Sequence, residues 1–121
     1  MRDYTKIKAF LLVDDLVILV YRVTKNFPTE EKFGLVQQIR RAIISVASNI
    51  VEGCYRQSQN EFIRFLEIAF ASLKESHYQI NISNRLGYID SITFQLIDKK
   101  MNEAEKVLAS YYKFHKNDKQ L

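Results

Sequence analysis

The chain has 121 residues, a net charge of +4 at pH 7 and one cysteine, Cys54. That length suits a single domain over residues 1–121 with a buried core. One cysteine excludes an intramolecular disulfide framework and fits a reducing cytoplasm, while the mild positive charge permits contact with nucleic acid without requiring it. Three glycines and one proline predict few turns and long helices.

A first helix is predicted from about Thr5 to Lys25. Its most apolar part, residues 9–21, contains Asp14 and Asp15 and is too short to cross about 30 Å of hydrocarbon. We therefore expect a buried helix, no membrane contact and, since no export leader opens the chain, a cytoplasmic protein. Charged residues occupy only about a third of this helix's circumference. The apolar remainder exceeds what one core needs and predicts a partner subunit.

Pro28 separates the first helix from the second, and Thr29 is predicted to cap the second. Helical spacing places one apolar seam on this second helix: Leu35, Ile39, Ala42, Ile43, Val46 and Ile50. A second apolar flank is predicted to contact another subunit: Val36, Ile44, Ala47 and Val51. Gly53 is expected to end the helix with a positive φ.

The remaining signals predict two further helices. Ser58 and Glu61 have the spacing of a capping box, so the third helix is expected from about Gln59 to Leu86, with Gly87 following it. Asp90 or Ser91 caps a fourth helix, and the polar tail after Phe114 is expected to fray. Short links between four helices predict an all-α, up-down-up-down four-helix bundle.

Two adjacent arginines, Arg40 and Arg41, point about 100° apart on the second helix. Arg41 belongs to a polar stripe with Ser45, Asn49 and Glu52, which we interpret as a structural polar network. Arg40 is isolated on the apolar flank, where it would either cross a subunit interface or face a central opening.

Sequence patterns for catalysis are absent. No Glu-x-x-His pair supports a di-iron centre, and His77 and His115 are interpreted as packing or surface residues. Cys54 has no histidine near it in sequence, and no glycine is followed by the Lys-Ser or Lys-Thr of a phosphate loop. We expect no metal, no cofactor and no enzymatic activity.

The spacing QxRRAxxSxxxNIxEG at residues 38–53 is followed by NEFIRFLEIAFASLKESHYQI and LGYI. These residues resemble the bacterial four-helix-bundle proteins encoded in intervening sequences of large-subunit ribosomal RNA genes. That family includes relatives of the accessory variability protein of diversity-generating retroelements. The resemblance implies a four-helix protomer, a ring-shaped homopentamer and a role with nucleic acid. After the glycine, where family members often carry further basic residues, this chain has Cys54-Tyr55-Arg56-Gln57, which dilutes the positive charge.

The function predicted from this resemblance is that of a non-catalytic accessory protein, which binds structured RNA or DNA through a basic surface of the oligomer. Five residues are expected to contact phosphate, with Tyr55 as a stacking surface: Lys32, Arg40, Arg56, Arg64 and Lys74. The alternative is a protein-interaction scaffold, whose second apolar faces and tyrosine-rich fourth helix dock a reverse transcriptase or another nucleic-acid enzyme.

Overall fold

The computed structural model describes residues 2–120, which form four α-helices and no β-strand. The helices are α1 (Lys8–Thr24), α2 (Leu35–Cys54), α3 (Gln59–Arg85) and α4 (Ser91–Gln120). Short 3₁₀ turns, Tyr4–Lys6 and Thr29–Glu31, precede α1 and α2. Each helix packs against its two neighbours, α1 on α2 and α4, and α3 on α2 and α4. Met1 and Leu121 lie outside the described residues.

Side-chain pairs fix the directions of the helices. Arg41 pairs with Glu75, and Ser45, one turn later on α2, pairs with Ser72, one turn earlier on α3. The same reversal relates α3 to α4, so both neighbours of α3 run antiparallel to it. The predicted up-down-up-down bundle is therefore the observed one.

The core is formed by an apolar stripe from each helix, and on α2 that stripe contains the predicted seam from Ile39 to Ile50, whereas Leu35 is half-buried. Leu16 of α1, Ile43 of α2, Leu73 of α3 and Met101 of α4 are all almost completely buried. Removing each such side chain from water contributes about 1.5–3 kcal/mol, so the bundle is held mainly by this apolar stripe. No helix within residues 2–120 has the length and hydropathy of a membrane span.

Gly53 has a different role from the predicted one. The helix α2 continues through Gly53 to Cys54. Within residues 2–120 only Gly87 has a positive φ, of 81°. A Cβ on Gly53 would lie 2.8 Å from the Cβ of Phe65, so the glycine is required by the close approach of α3. The predicted role of Gly87 as the residue that follows α3 is confirmed. Its N–H donates to Asn84 O at 3.0 Å, and the N–H of Tyr88 donates to Ser83 O at 2.9 Å.

The start of α2 also differs from the prediction. Thr29 opens a 3₁₀ turn and caps nothing, whereas α2 begins at Leu35, whose N–H donates to Glu31 Oε1 at 3.2 Å. The other carboxylate oxygen of Glu31 accepts from Tyr88 Oη at 2.9 Å. Thr29 was the wrong choice because the link makes an extra turn before the helix, and Glu31 supplies the oxygen.

The side-chain cap predicted at Ser58 is present, and of the two candidates for α4 it is Asp90 that caps the helix. Ser58 Oγ accepts from Glu61 N at 3.0 Å, and Asp90 Oδ1 accepts from Thr93 N at 2.8 Å. The helix α4 extends to Gln120, beyond the point where fraying was expected. His115 contributes to this extension, because its ring lies 5.1 Å from that of Phe62.

Candidate nucleic-acid interface

The five cationic residues predicted to contact phosphate do not form one cluster. Lys32 and Arg40 lie near the link between α1 and α2, and Arg56 and Arg64 lie at the opposite end of the bundle. Lys74 faces α4 from the middle of α3, where its Nζ is 3.2 Å from Glu105 Oε1. A single protomer therefore offers two separate groups of predicted residues and one isolated lysine.

Arg40 binds the end of α1 in its own protomer. Its Nε donates to Thr24 Oγ1 at 3.0 Å, its Nη2 donates to Tyr21 O at 3.2 Å, and its guanidinium lies 4.4 Å from the Tyr21 ring centroid. The last turn of a helix has carbonyls without partners and a partial negative charge, both of which a guanidinium satisfies. With Lys25 and Lys32, Arg40 also lines a hollow of about 280 Å³ at this link.

Arg56 and Arg2 organise the opposite end. Arg56 Nη2 pairs with Glu52 Oε1 at 2.7 Å. Arg2 donates to Arg56 O at 2.9 Å and to Gln59 Oε1 at 2.8 Å, and its guanidinium lies 4.1 Å from the Phe62 ring centroid. Sequence reasoning missed Arg2 because its partners are more than fifty residues away and no local pattern marks it.

We call this end of the bundle the basic end; it comprises residues 2–8, residues 55–66 and residues 111–118. Cationic residues outnumber acidic ones in these segments. Lys6, Arg64, Lys113 and Lys116 are exposed there, and so is the Tyr55 ring. The basic end thus presents positive charge and an aromatic surface together, although only Arg56 and Arg64 of the five predicted residues belong to it.

Arg64 and Lys116 occupy the same level of the basic end. Tyr112 Oη donates to Glu67 Oε1 at 3.1 Å, which fixes the register between α3 and α4. One turn toward the end of the bundle from this pair, Arg64 on α3 is therefore level with Lys116 on α4. Lys116 Nζ also lies 5.6 Å from the Tyr112 ring centroid.

The predicted polar network separates into three parts. Ser45 Oγ and Ser72 Oγ are 3.0 Å apart, and Asn49 Nδ2 donates to Ser45 O at 2.7 Å. Arg41 instead pairs with Glu75 of α3 at 2.8 Å. Glu52 pairs with Arg56, so the stripe is a row of separate contacts along α2.

The predicted subunit-contact flank is partly used within the protomer. Val36 is 8% exposed and belongs to the protomer core, so it offers little area to another subunit; Ala47 and Val51 are half-buried. Ile44 is 40% exposed. The antiparallel register set by Arg40 and Tyr21 places Ile44 level with Ile18 of α1, which is 52% exposed. With Leu11 and Tyr21, these two residues form what we call the α1–α2 apolar face.

Burial shifts the pKa values of His115 at the basic end and of Cys54, which precedes it at the end of α2. Burial raises the pKa of the Cys54 thiol and, together with nearby Arg2, lowers that of His115. A raised pKa leaves less thiolate, the form in which cysteine acts as a nucleophile. Within residues 2–120, no group of three or more His, Cys, Asp or Glu side chains could hold a metal ion.

Comparisons with known proteins agree with this architecture. The model of a family described as 23S rRNA-intervening sequence protein matches residues 6–110. A crystal structure of a protein with unknown function from the S23 ribosomal protein family of Bacteroides thetaiotaomicron VPI-5482 is 26% identical. The match covers 87% of this chain and 98% of that one, with a TM-score of 0.77. No curated protein matches this chain.

Proposed function

This chain belongs to the 23S rRNA-intervening sequence protein family. From that premise we propose that it is a non-catalytic accessory protein, which binds structured RNA or DNA through a basic surface of a homo-oligomer. The observation that carries the proposal is the basic end, where Arg64, Lys113 and Lys116 are exposed and the ring of Tyr55 is exposed as well. Of the remaining predicted contacts, Arg40 and Lys74 serve mainly to join helices.

Binding at the basic end would depend on phosphate charge. Lysine and arginine contacts to phosphate release counterions, so affinity falls as salt rises. Tyr55 would stack on an unpaired base, which every base permits. These contacts position a nucleic acid without reading its sequence, so we expect preference for structure and charge over a particular sequence.

Oligomerisation is the second part of the proposal. The α1–α2 apolar face exposes Leu11, Ile18, Tyr21 and Ile44, which a second copy of the chain would cover. We propose a cyclic assembly, a ring of five as the resemblance implies. With the helices along the ring axis, symmetry brings every basic end to one rim. A single protomer has a modest net charge of +4, and a ring would place the cationic residues of several protomers at the same rim.

Nucleic-acid binding is tested by titrating the protein with a structured ribosomal RNA fragment and with single-stranded DNA at two salt concentrations. The Arg64→Ala/Lys116→Ala variant should bind more weakly, with the slope of log affinity against log salt reduced by about 2 per protomer that contacts the nucleic acid. The matched control is Lys99→Ala/Lys106→Ala, which removes two exposed lysines from α4 outside the basic end. Equal losses in both variants would contradict the assignment of the surface.

Assembly is tested by sedimentation of Ile44→Glu. A buried carboxylate at the subunit contact should dissociate the oligomer to protomers of 14.3 kDa while helix content is retained. Leu96→Glu, at an exposed apolar position of α4, is the control and should leave the mass unchanged. An unchanged mass for Ile44→Glu, or a wild-type protein that is monomeric at micromolar concentration, would refute this interface.

A protein-docking scaffold is the second candidate, favoured by a groove between α3 and α4. This groove has a volume of about 480 Å³ and is lined mainly by apolar atoms of Phe70, Ala71, Ala109 and Tyr112. A scaffold would bind bare RNA weakly or not at all, even at low salt. That outcome of the titration would favour the scaffold over nucleic-acid binding.

A further inference from the structure

His77 of α3 lies between two carboxylates of α4. Its Nδ1 is 2.6 Å from Glu105 Oε2, and its Nε2 is 2.7 Å from Asp98 Oδ1. Lys74 Nζ lies 3.2 Å from the second oxygen of Glu105, and Asn102 donates to the second oxygen of Asp98 at 3.4 Å. Glu105 is 8% exposed, so this is a partly dehydrated group of charges at the centre of a helix interface.

The chemistry of imidazole restricts how many protons this arrangement holds. A neutral imidazole has one N–H donor and one acceptor nitrogen, and an ionised carboxylate only accepts. Both short contacts of His77 therefore exist together only if the ring carries two N–H groups or one carboxyl keeps a proton. In either case the site holds one proton more than a neutral ring flanked by two carboxylates.

Charge balance favours placing that proton on the ring. The ammonium of Lys74 and an imidazolium at His77 together neutralise the carboxylates of Asp98 and Glu105. Without the extra proton the site would carry a net negative charge beside the apolar core, which is costly at low exposure. The other residues that line the adjoining hollow, Tyr78 and Asn81, contribute neither a carboxylate nor a cationic group.

We propose that Lys74, His77, Asp98 and Glu105 form a proton-dependent brace that joins α3 to α4. When the brace loses its proton, one ring nitrogen turns a lone pair toward a carboxylate oxygen, and that contact becomes repulsive. Because that contact joins α3 to α4, the folded chain is less stable without the proton.

The protonation state is measured directly by NMR of the imidazole nitrogens. The chain has two histidines, so His115→Gln leaves His77 as the single imidazole. We expect both ring nitrogens of His77 to behave as N–H nitrogens near neutral pH. A single-N–H tautomer with both carboxyls ionised in the folded protein would overturn the proposal.

Thermal unfolding between about pH 6 and about pH 9 tests the consequence. The Tm of the wild-type protein should fall by about 4 °C or more across this range relative to His77→Gln, which has no titrating ring. Glu105→Gln and Asp98→Asn keep the side-chain shapes, remove one charge each, and should flatten the pH profile. Parallel profiles for wild type and His77→Gln would contradict the brace; if His77→Gln does not fold, the NMR result on His115→Gln decides.

Discussion

The two sides of α3 are built on opposite principles. Toward α2 the less exposed polar and close contacts are small and neutral: Gly53 lies against the Cβ of Phe65, and the hydroxyls of Ser45 and Ser72 are 3.0 Å apart, while the charged pair Arg41–Glu75 is about half exposed. Toward α4 the contacts are long and charged, with His77 between two carboxylates and an apolar groove beside them. Beyond the apolar core that both sides share, the α2 side is distinguished by close approach, whereas the α4 side is distinguished by charge and proton content.

The two sides of α3 should therefore respond differently to changes in pH and salt concentration. Small residues let helix axes approach closely, and the resulting dispersion and hydroxyl contacts do not depend on pH or salt. Charged contacts lose strength when one member changes its protonation state, and exposed ones are screened by salt. We therefore expect pH and salt to weaken the contact between α3 and α4 more than the contact between α2 and α3.

The largest expected effect is that of Gly53→Val. Its Cβ would meet the Cβ of Phe65 at 2.8 Å, a distance that the helices can relieve only by moving apart. Overpacking of this kind should lower the free energy of unfolding by about 3 kcal/mol, measured by urea denaturation. Ser48→Val, at an exposed position of α2, is the control and should change it by about 0.5 kcal/mol or less. Equal effects would mean that the close approach is not what requires glycine.

The next largest change in stability is expected from Glu105→Ala, which removes a carboxylate from the contact between α3 and α4. It leaves His77 and Lys74 without their common partner and should lower the free energy of unfolding by about 2 kcal/mol. Glu103→Ala, exposed on the same helix, should have little effect. A loss at Glu105 no greater than at Glu103 would show that the buried contacts contribute nothing net.

A smaller effect is expected at the serine pair. Ser45→Ala or Ser72→Ala alone should cost about 1 kcal/mol, because the remaining hydroxyl loses a partner in a half-buried site. The double variant should cost less than the sum of the two, as a double-mutant cycle in urea would measure. Simple additivity would indicate that the two hydroxyls are not coupled.

The smallest effect is expected from Arg41→Ala, which removes an exposed charged contact between α2 and α3. The pair with Glu75 is short, at 2.8 Å, but both side chains are about half exposed. It should contribute about 0.5 kcal/mol or less and weaken further in high salt. A larger loss, insensitive to salt, would mean that the α2 side also depends on charge.

Sequence reasoning succeeded where the signal is local. The burial of Ile39, Ile43 and Ile50 follows from helical spacing, and the cap at Ser58 and the turn at Gly87 depend on residues within one helical turn. It succeeded also for the antiparallel order, because short links leave few alternatives.

It failed where a residue's role depends on a distant partner. Gly53 looked like a helix terminator because a glycine after an apolar seam usually is one; its partner Phe65 lies on another helix. His77 was interpreted as a packing or surface residue because it has no metal-ligand spacing to neighbouring residues along the chain. Its partners at Asp98 and Glu105 become visible only once α4 folds back on α3.

The thiol of Cys54 can be used as a chemical probe of opening at this end of the bundle. Cys54 is the only cysteine, its side chain is fully buried beside Gly53, and burial raises the pKa of its thiol. A thiol reagent can therefore modify it only when this end of the molecule opens, so the labelling rate measures the population of the open form. Since the basic end lies directly around Cys54, a bound nucleic acid that holds this end closed would slow the labelling, and the wild-type protein can report its own occupancy.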